Sequence, residues 1–182
     1  MAVRDFLRWP DPRLRRAAEP VSEITDKTRA IWADMVDTME AMPGVGLAAP
    51  QIGVMQRLAV VDASDARGQA VLMANPELID ASEELREQIE ASPNLPGTGA
   101  KIKRPKSVVV RFLNADGATE DKEFHGLAAA SAQHQMDHLN GKMYFDHLSK
   151  LRRDMLLRKA RKTSGGWCLW AVRILLFRRL RP

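Results

Sequence analysis

Residues 133–141 read QHQMDHLNG, and the reading of the fold turns on them. His134 and His138 stand four apart. On an α-helix that spacing puts both rings on one face, one turn apart, where they can grip a single ion. Asn140 and Gly141 supply a helix stop, so the stretch predicts a helix over 127–139 with its own C-terminal cap. Metal hydrolases built on HxxxH carry a glutamate beside the first histidine to move protons. Here that place is Gln135, whose amide can neither take nor give one.

Outward from that helix, the chain runs to 182 residues, 45% apolar and 28% charged, which suits one domain with a proper core. Aromatic residues make up only 5%, so aliphatic side chains and methionines must fill it. Ile24, Ile31, Met35, Met39 and Met42 recur at three- and four-residue steps. They predict a helix over 25–42, capped by Thr25 or Asp26 and stopped by Pro43 and Gly44, with the methionines as core packing. RLAVVDA (57–63) and AVLMANPELI (70–79) predict strands separated by a turn at 65–68. KSVVVRFLNADGATEDKEF (106–124) predicts a hairpin turning at 114–117, and a basic helix follows over 148–162. The sum is an α+β fold: small mixed or antiparallel sheets around a central HxxxH helix, with further helices at either end.

Composition sets limits on function. The single cysteine, Cys168, excludes an internal disulfide and any cysteine-rich metal site. The charged N-terminus holds no apolar run and does not read as a signal peptide, which gives a cytoplasmic address. The net charge of +5 is unevenly spread. Residues 150–182 hold 11 Lys or Arg against one acid, Asp154, a balance of +10; the rest hold 17 basic and 22 acidic groups, a balance of −5. A basic end on an acidic body suits RNA, a ribosome or an anionic membrane, or is an ordinary solvated helix face. His125 and His147 fall outside the HxxxH spacing and read as structural or solvent-facing.

A second informative stretch is GVGLAAPQIGV (44–54). Its small residues leave backbone N–H and C=O groups uncovered at Gly44, Val45, Gly46 and Leu47, where a peptide can lie alongside as an added strand; Gln51 offers an amide. Tight packing is the plainer reading of the same residues.

Taken together, GVGLAAPQ (44–51), RPKSVVVRF (104–112) and AQHQMDHLNGKMYFDHLSKLRRDMLLRKARK (132–162) resemble the peptide deformylase family. The resemblance runs from the N-terminus to residue 162 and leaves 163–182 as an atypical basic and hydrophobic tail. It implies hydrolytic removal of the formyl group from the N-terminal methionine of nascent chains, with no role on DNA. It implies a ferrous or zinc ion held by one Cys and two His, a glutamate that handles protons, and an oxyanion steadied by a Gln and a backbone N–H. Against the family motif QHExDHLxG, His134 and His138 match the ligands and Gln135 replaces the glutamate. Against EGCLS, the segment EASPN (90–94), set in register by Glu90 and Pro96-Gly97, puts Ser92 in the place of the cysteine ligand. Pro93, which has no N–H, takes the place of the leucine that would donate one. Gln51 is retained.

Two readings follow. In one, the chain is a deformylase homologue with little or no activity that keeps the fold and the peptide groove. In the other, it is a weak but genuine metal-dependent deformylase or amide hydrolase, with Ser92 or Glu90 filling in. Glu90 reads otherwise as a surface acid ending the run EELREQIE. The basic helix 148–162 suits a ribosome contact. The tail WCLWAVRILLFRRLRP (167–182) suits an anionic membrane surface, or is an accidental extension; its apolar run is too short to span a bilayer, which takes roughly 20 residues.

Overall fold

In the computed structural model, which describes residues 2–42 and 44–163, Thr25 opens the first helix with its own side chain. Its hydroxyl accepts the Thr28 N–H, and its own N–H donates to the Thr28 hydroxyl, satisfying two amides that a helix start leaves open. Helix α1 spans Asp26–Glu40. The strands are β1 Gly46–Ala48, β2 Leu58–Val61, β3 Val71–Ala81, β4 Leu85–Glu90, β5 Ala100–Pro105, β6 Ser107–Leu113 and β7 Thr119–His125. Helix α2 spans Gly126–Leu139 and α3 Lys150–Thr163. The expected hairpin is β6–β7, and the expected HxxxH helix is α2, with Gly141 beyond it at φ 69°. Residues 164–182 of the tail and Pro43 lie outside the described residues.

Five strands form one sheet in the order β1-β2-β3-β6-β7, and β4 and β5 form a separate pair. Every neighbouring pair is antiparallel. The architecture is α+β, as the sequence pattern predicts. Pro76 interrupts β3, and the ladder to β6 shifts register beside it, with Asn75 at φ 51°. Asn75 is held there because its side chain pairs with both backbone groups of Val21.

The sheet is covered on both faces, and the alternation along its strands shows how. Leu58, Val60 and Ala74 turn toward α1, meeting Trp32, Met35 and Met39. Ala59, Val61 and Met73 turn to the other face, with Val108, Val110 and Phe112, and meet Ala129, Ala132, Met136 and Leu139 of α2. Thus α2 is buried nearly all round and carries its histidines into the interior. A third cluster, Leu14, Leu95, Met143, Tyr144 and Phe145, anchors Leu156, Leu157 and Ala160 of α3. No helix among the described residues is long and apolar enough to cross a membrane.

Candidate functional site

A groove of about 350 Å³ runs between the edge strand β1, the end of β4 and the first turns of α2. Gly44, Val45 and Gly46 form one wall, Gln88, Ile89 and Glu90 another, and Ser131, His134 and Gln135 the floor. Gln51 and Pro93 also line it. Leu47, expected beside the glycines as a binding residue, instead sends its side chain into the core. The close approach of β1 to α2 explains Gly46. A Cβ there would overlap Ser131 Oγ and lie 2.8 Å from Gln135 Nε2, both in the groove floor. Gly46→Ala is therefore expected to displace the Ser131 hydroxyl from the Val45 carbonyl and the Gln135 amide from its place, and to cost roughly 1–3 kcal/mol of stability in urea denaturation.

Glu90 is not the surface acid that its sequence neighbourhood suggests. It is 6% exposed and bonded to Arg104 through both oxygens. The run EELREQIE reads as surface because β4 is exposed along most of its length, but its last residue turns inward against the guanidinium of β5. Burial pushes the Glu90 carboxyl up, yet hydrogen bonds and charge from Arg104 and His134 outweigh it and hold the pKa near about 2. The ionised carboxylate can only accept, so His134 Nδ1, 2.9 Å from Glu90 Oε2, carries the proton of that bond, which fixes the orientation of the ring. Arg104 also donates to Asp137, which in turn meets His147 Nε2 at 2.7 Å. His147 is thus tied into the support of the site, while His125 stays exposed beside Glu123.

His138 lies one turn beyond His134 and is fully buried. Desolvation, reinforced by His134, holds its pKa well below the usual imidazole value, so the ring is neutral. Neither of its nitrogens has a hydrogen-bond partner among the described residues, nor has Gln135 Oε1. Gln51 Oε1 accepts the Ala48 N–H, and its Nε2 donates to Asn94 Oδ1 at 2.9 Å and reaches Ser92 Oγ at 3.4 Å. Ser92 in turn donates to Asn94 Oδ1 at 3.0 Å. Asn94 Nδ2 holds the carbonyls of Leu7 and Gln51. Asn94 and Arg104 organise the site, and neither is conspicuous in sequence.

The family profile "Polypeptide deformylase" matches residues 3–154. This chain belongs to the peptide deformylase family. It is 42% identical to the peptide deformylase of Rhizorhabdus wittichii over 169 residues, covering 89% of this chain and 96% of that protein. It is 40% identical to that of Afipia carboxidovorans over 166 residues, covering 90% and 97%. Among solved structures it is similar to the Ehrlichia chaffeensis peptide deformylase in complex with actinonin, at 31% identity, TM-score 0.84 and coverage of 91% and 100%. The Legionella pneumophila peptide deformylase matches at 35% identity and TM-score 0.83, with both chains fully covered.

Peptide deformylases depend on a metal, so the donor set here can be tested against one. His138, neutral, buried and unpartnered, suits a ligand, and His134 with Nδ1 fixed by Glu90 suits a second. The third does not fit. Ser92 spends its hydroxyl proton on Asn94, and among the described residues no group of three or more His, Cys, Asp or Glu is placed to hold an ion. A neutral hydroxyl is also a poor substitute for a thiolate at neutral pH.

Proposed function

We propose that this chain is a deformylase-type peptide-binding protein with little or no deformylase activity, a pseudoenzyme that takes the N-terminal segment of nascent chains in the cytoplasm. The observation that carries the reading is the hydrogen-bonded cluster Ser92–Asn94–Gln51, whose neutral groups bond to one another where the motif register with the family puts the third ligand. Gln135 in the glutamate's place removes the proton carrier, and Pro93 has no N–H to offer an oxyanion.

The replacements are also consistent in charge. The family site balances a dication against a thiolate and a carboxylate. Keeping those anions without the ion would bury unpaired charge, which costs several kcal/mol. With Ser92 and Gln135 in their places, neither position carries a charge that needs an ion to balance it. The chain is therefore expected to fold metal-free, and a chelator should leave its thermal midpoint unchanged. A midpoint that falls with chelator and returns with Zn²⁺ or Fe²⁺ would mean that an ion stabilises the native state.

The groove wall 44–46, at the open edge of the sheet, is suited to pair with an extended peptide. The reading is tested by calorimetric titration with a formyl-Met tripeptide followed by mass analysis of the peptide: binding with the formyl group intact supports it, and release of formate overturns it. The unpartnered nitrogens of His138 favour the second reading, a weak metal-dependent deformylase in which two histidines and water hold Fe²⁺ or Zn²⁺. That reading requires about one ion per chain after metal loading and dialysis.

A further inference from the structure

Given the peptide-binding reading of the groove, on which the proposal rests, we infer that a second cavity beyond Leu127 is a distal subsite. It takes about the fourth to sixth residues of the same peptide and selects an acidic side chain there through Lys122. The cavity has a volume of about 440 Å³, larger than the groove, and adjoins it at two points. Leu127, in the first turn of α2, lines both. The Val45 carbonyl of the groove wall accepts the N–H of Asp62, which lines the cavity, at 3.0 Å. From His134 back to Leu127, helix α2 runs for about 10 Å along its axis. An extended peptide covers that distance in about three residues. A chain whose first residue lies beside His134 therefore passes Leu127 and enters the cavity with about its fourth.

The cavity is divided chemically. Val61, Val71, Phe124 and Leu127 give it an apolar side, along which the stems of peptide side chains can lie. Most of its polar groups are already engaged. Asp62 is 2% exposed, and its carboxylate accepts from the Ser64 hydroxyl and from the N–H groups of Ser64 and Gln69. Arg67, beside it, donates to the Asp62 and Gly44 carbonyls. Glu123 stands 3.6 Å from His125. Lys122 is the exception. It sits half-buried on β7, opposite Val110 on the face that meets α2, and makes no ion pair or side-chain hydrogen bond among the described residues. Glu120, two residues along the same face, is engaged by Asn114 instead, at 3.4 Å. An ammonium partly withdrawn from water and without a counter-ion attracts a carboxylate more strongly than one in bulk solvent. An acidic side chain with its stem on the apolar side supplies that counter-ion.

The test is calorimetric titration of the full chain with formyl-Met-Ala-Ser and with hexapeptides that extend it by three residues. The extensions carry Glu, Gln or Lys in turn at the fourth, fifth or sixth residue and Ala elsewhere. At least one Glu hexapeptide is expected to bind about fivefold more tightly than its Gln counterpart, the size of a partly exposed ion pair. Lys122→Gln should erase that difference. Lys122→Glu should turn it into a preference for Lys, a signal that a misfolded variant would not give. Equal affinity for Glu and Gln at all three positions, or a Glu preference that survives Lys122→Gln, overturns the distal subsite. The tripeptide separates the two readings. If it binds and no hexapeptide gains from Glu, the distal subsite alone falls; if neither tripeptide nor hexapeptide binds, the peptide-binding reading falls and the subsite with it.

Discussion

The triple variant Ser92→Cys, Pro93→Leu, Gln135→Glu is expected to hydrolyse a formyl-Met peptide at least about 10³-fold faster than the natural chain when loaded anaerobically with Fe²⁺. Each substitution restores a different part of the chemistry. The cysteine supplies an anionic third donor beside His134 and His138, whose second-line support by Glu90, Arg104 and Asp137 is already in place. The glutamate restores proton transfer, worth about 10²–10⁴-fold. The leucine restores a backbone N–H, and losing one oxyanion donor costs about 10²–10³-fold. Groups that act as a unit do not contribute additively, so the single repairs should recover little. Gln135→Glu alone should be the least effective, because it adds a buried carboxylate without the ion that balances it. A silent triple variant that binds one ion per chain would mean that further residues have drifted, Asn94 first, since it engages Gln51 Nε2 and stands where the family motif EGCLS has its serine.

Arg104→Met should be the most damaging substitution outside the groove lining, lowering stability by about 3–5 kcal/mol in urea denaturation. Arg104 is buried and closes ion pairs to both Glu90 and Asp137, so its loss leaves two carboxylates short of a partner in the interior. Arg111→Met, which breaks the exposed pair to Asp121, should leave the midpoint where it was. The same pairing sets an acid limit. Glu90 is held near a pKa of about 2, below its ordinary 4.5, so its contribution is fully present above about pH 4.5 and is lost as pH falls through about 2. That contribution is on the order of 3 kcal/mol. His138 acts in the same direction. Its folded pKa is depressed, so below the ordinary imidazole value the unfolded chain binds the extra proton and stability falls with acid. A Glu90→Gln variant should lose the part of the acid transition between pH 4.5 and 2.

The elements that the sequence makes legible are those whose own residues carry the pattern. Helix α2 is marked by HxxxH and the Asn140-Gly141 stop, α1 by the three- and four-residue recurrence that runs to Met42, two residues past the helix end at Glu40, and the β6–β7 hairpin by SVVVRFL and its Asn-Ala-Asp-Gly turn. Strands β4 and β5 carry no such mark. LREQIE and AKIKRP are each charged at three of six positions: β4 lies largely in water, and the inward side of β5 carries Arg104 beside Ile102, so neither strand shows a hydrophobic alternation. Strand β1 is three residues of Gly, Leu and Ala, too short for any periodicity. At the site, Ser92, His134, Gln135 and His138 are visible as motif positions: His134 and Gln135 line the groove with Gln51, Ser92 is within reach of Gln51 Nε2, and the His138 ring lies 4.9 Å from that of His134. The burial of Glu90 is not visible, since the guanidinium that neutralises it lies 14 residues away on another strand. Asn94 is likewise missed, because its role comes from carbonyls at Leu7 and Gln51 that only the tertiary fold delivers.

The measurement that bears most directly on this account is formate release from a formyl-Met peptide by the natural chain, without oxygen and with Fe²⁺, Ni²⁺ or Zn²⁺ supplied in turn, beside an intact peptide deformylase. The account predicts peptide bound and no formate above background with any of the three ions. Turnover within about tenfold of the intact enzyme would contradict it, and would make Ser92 and Glu90 the groups that hold the ion and move the proton.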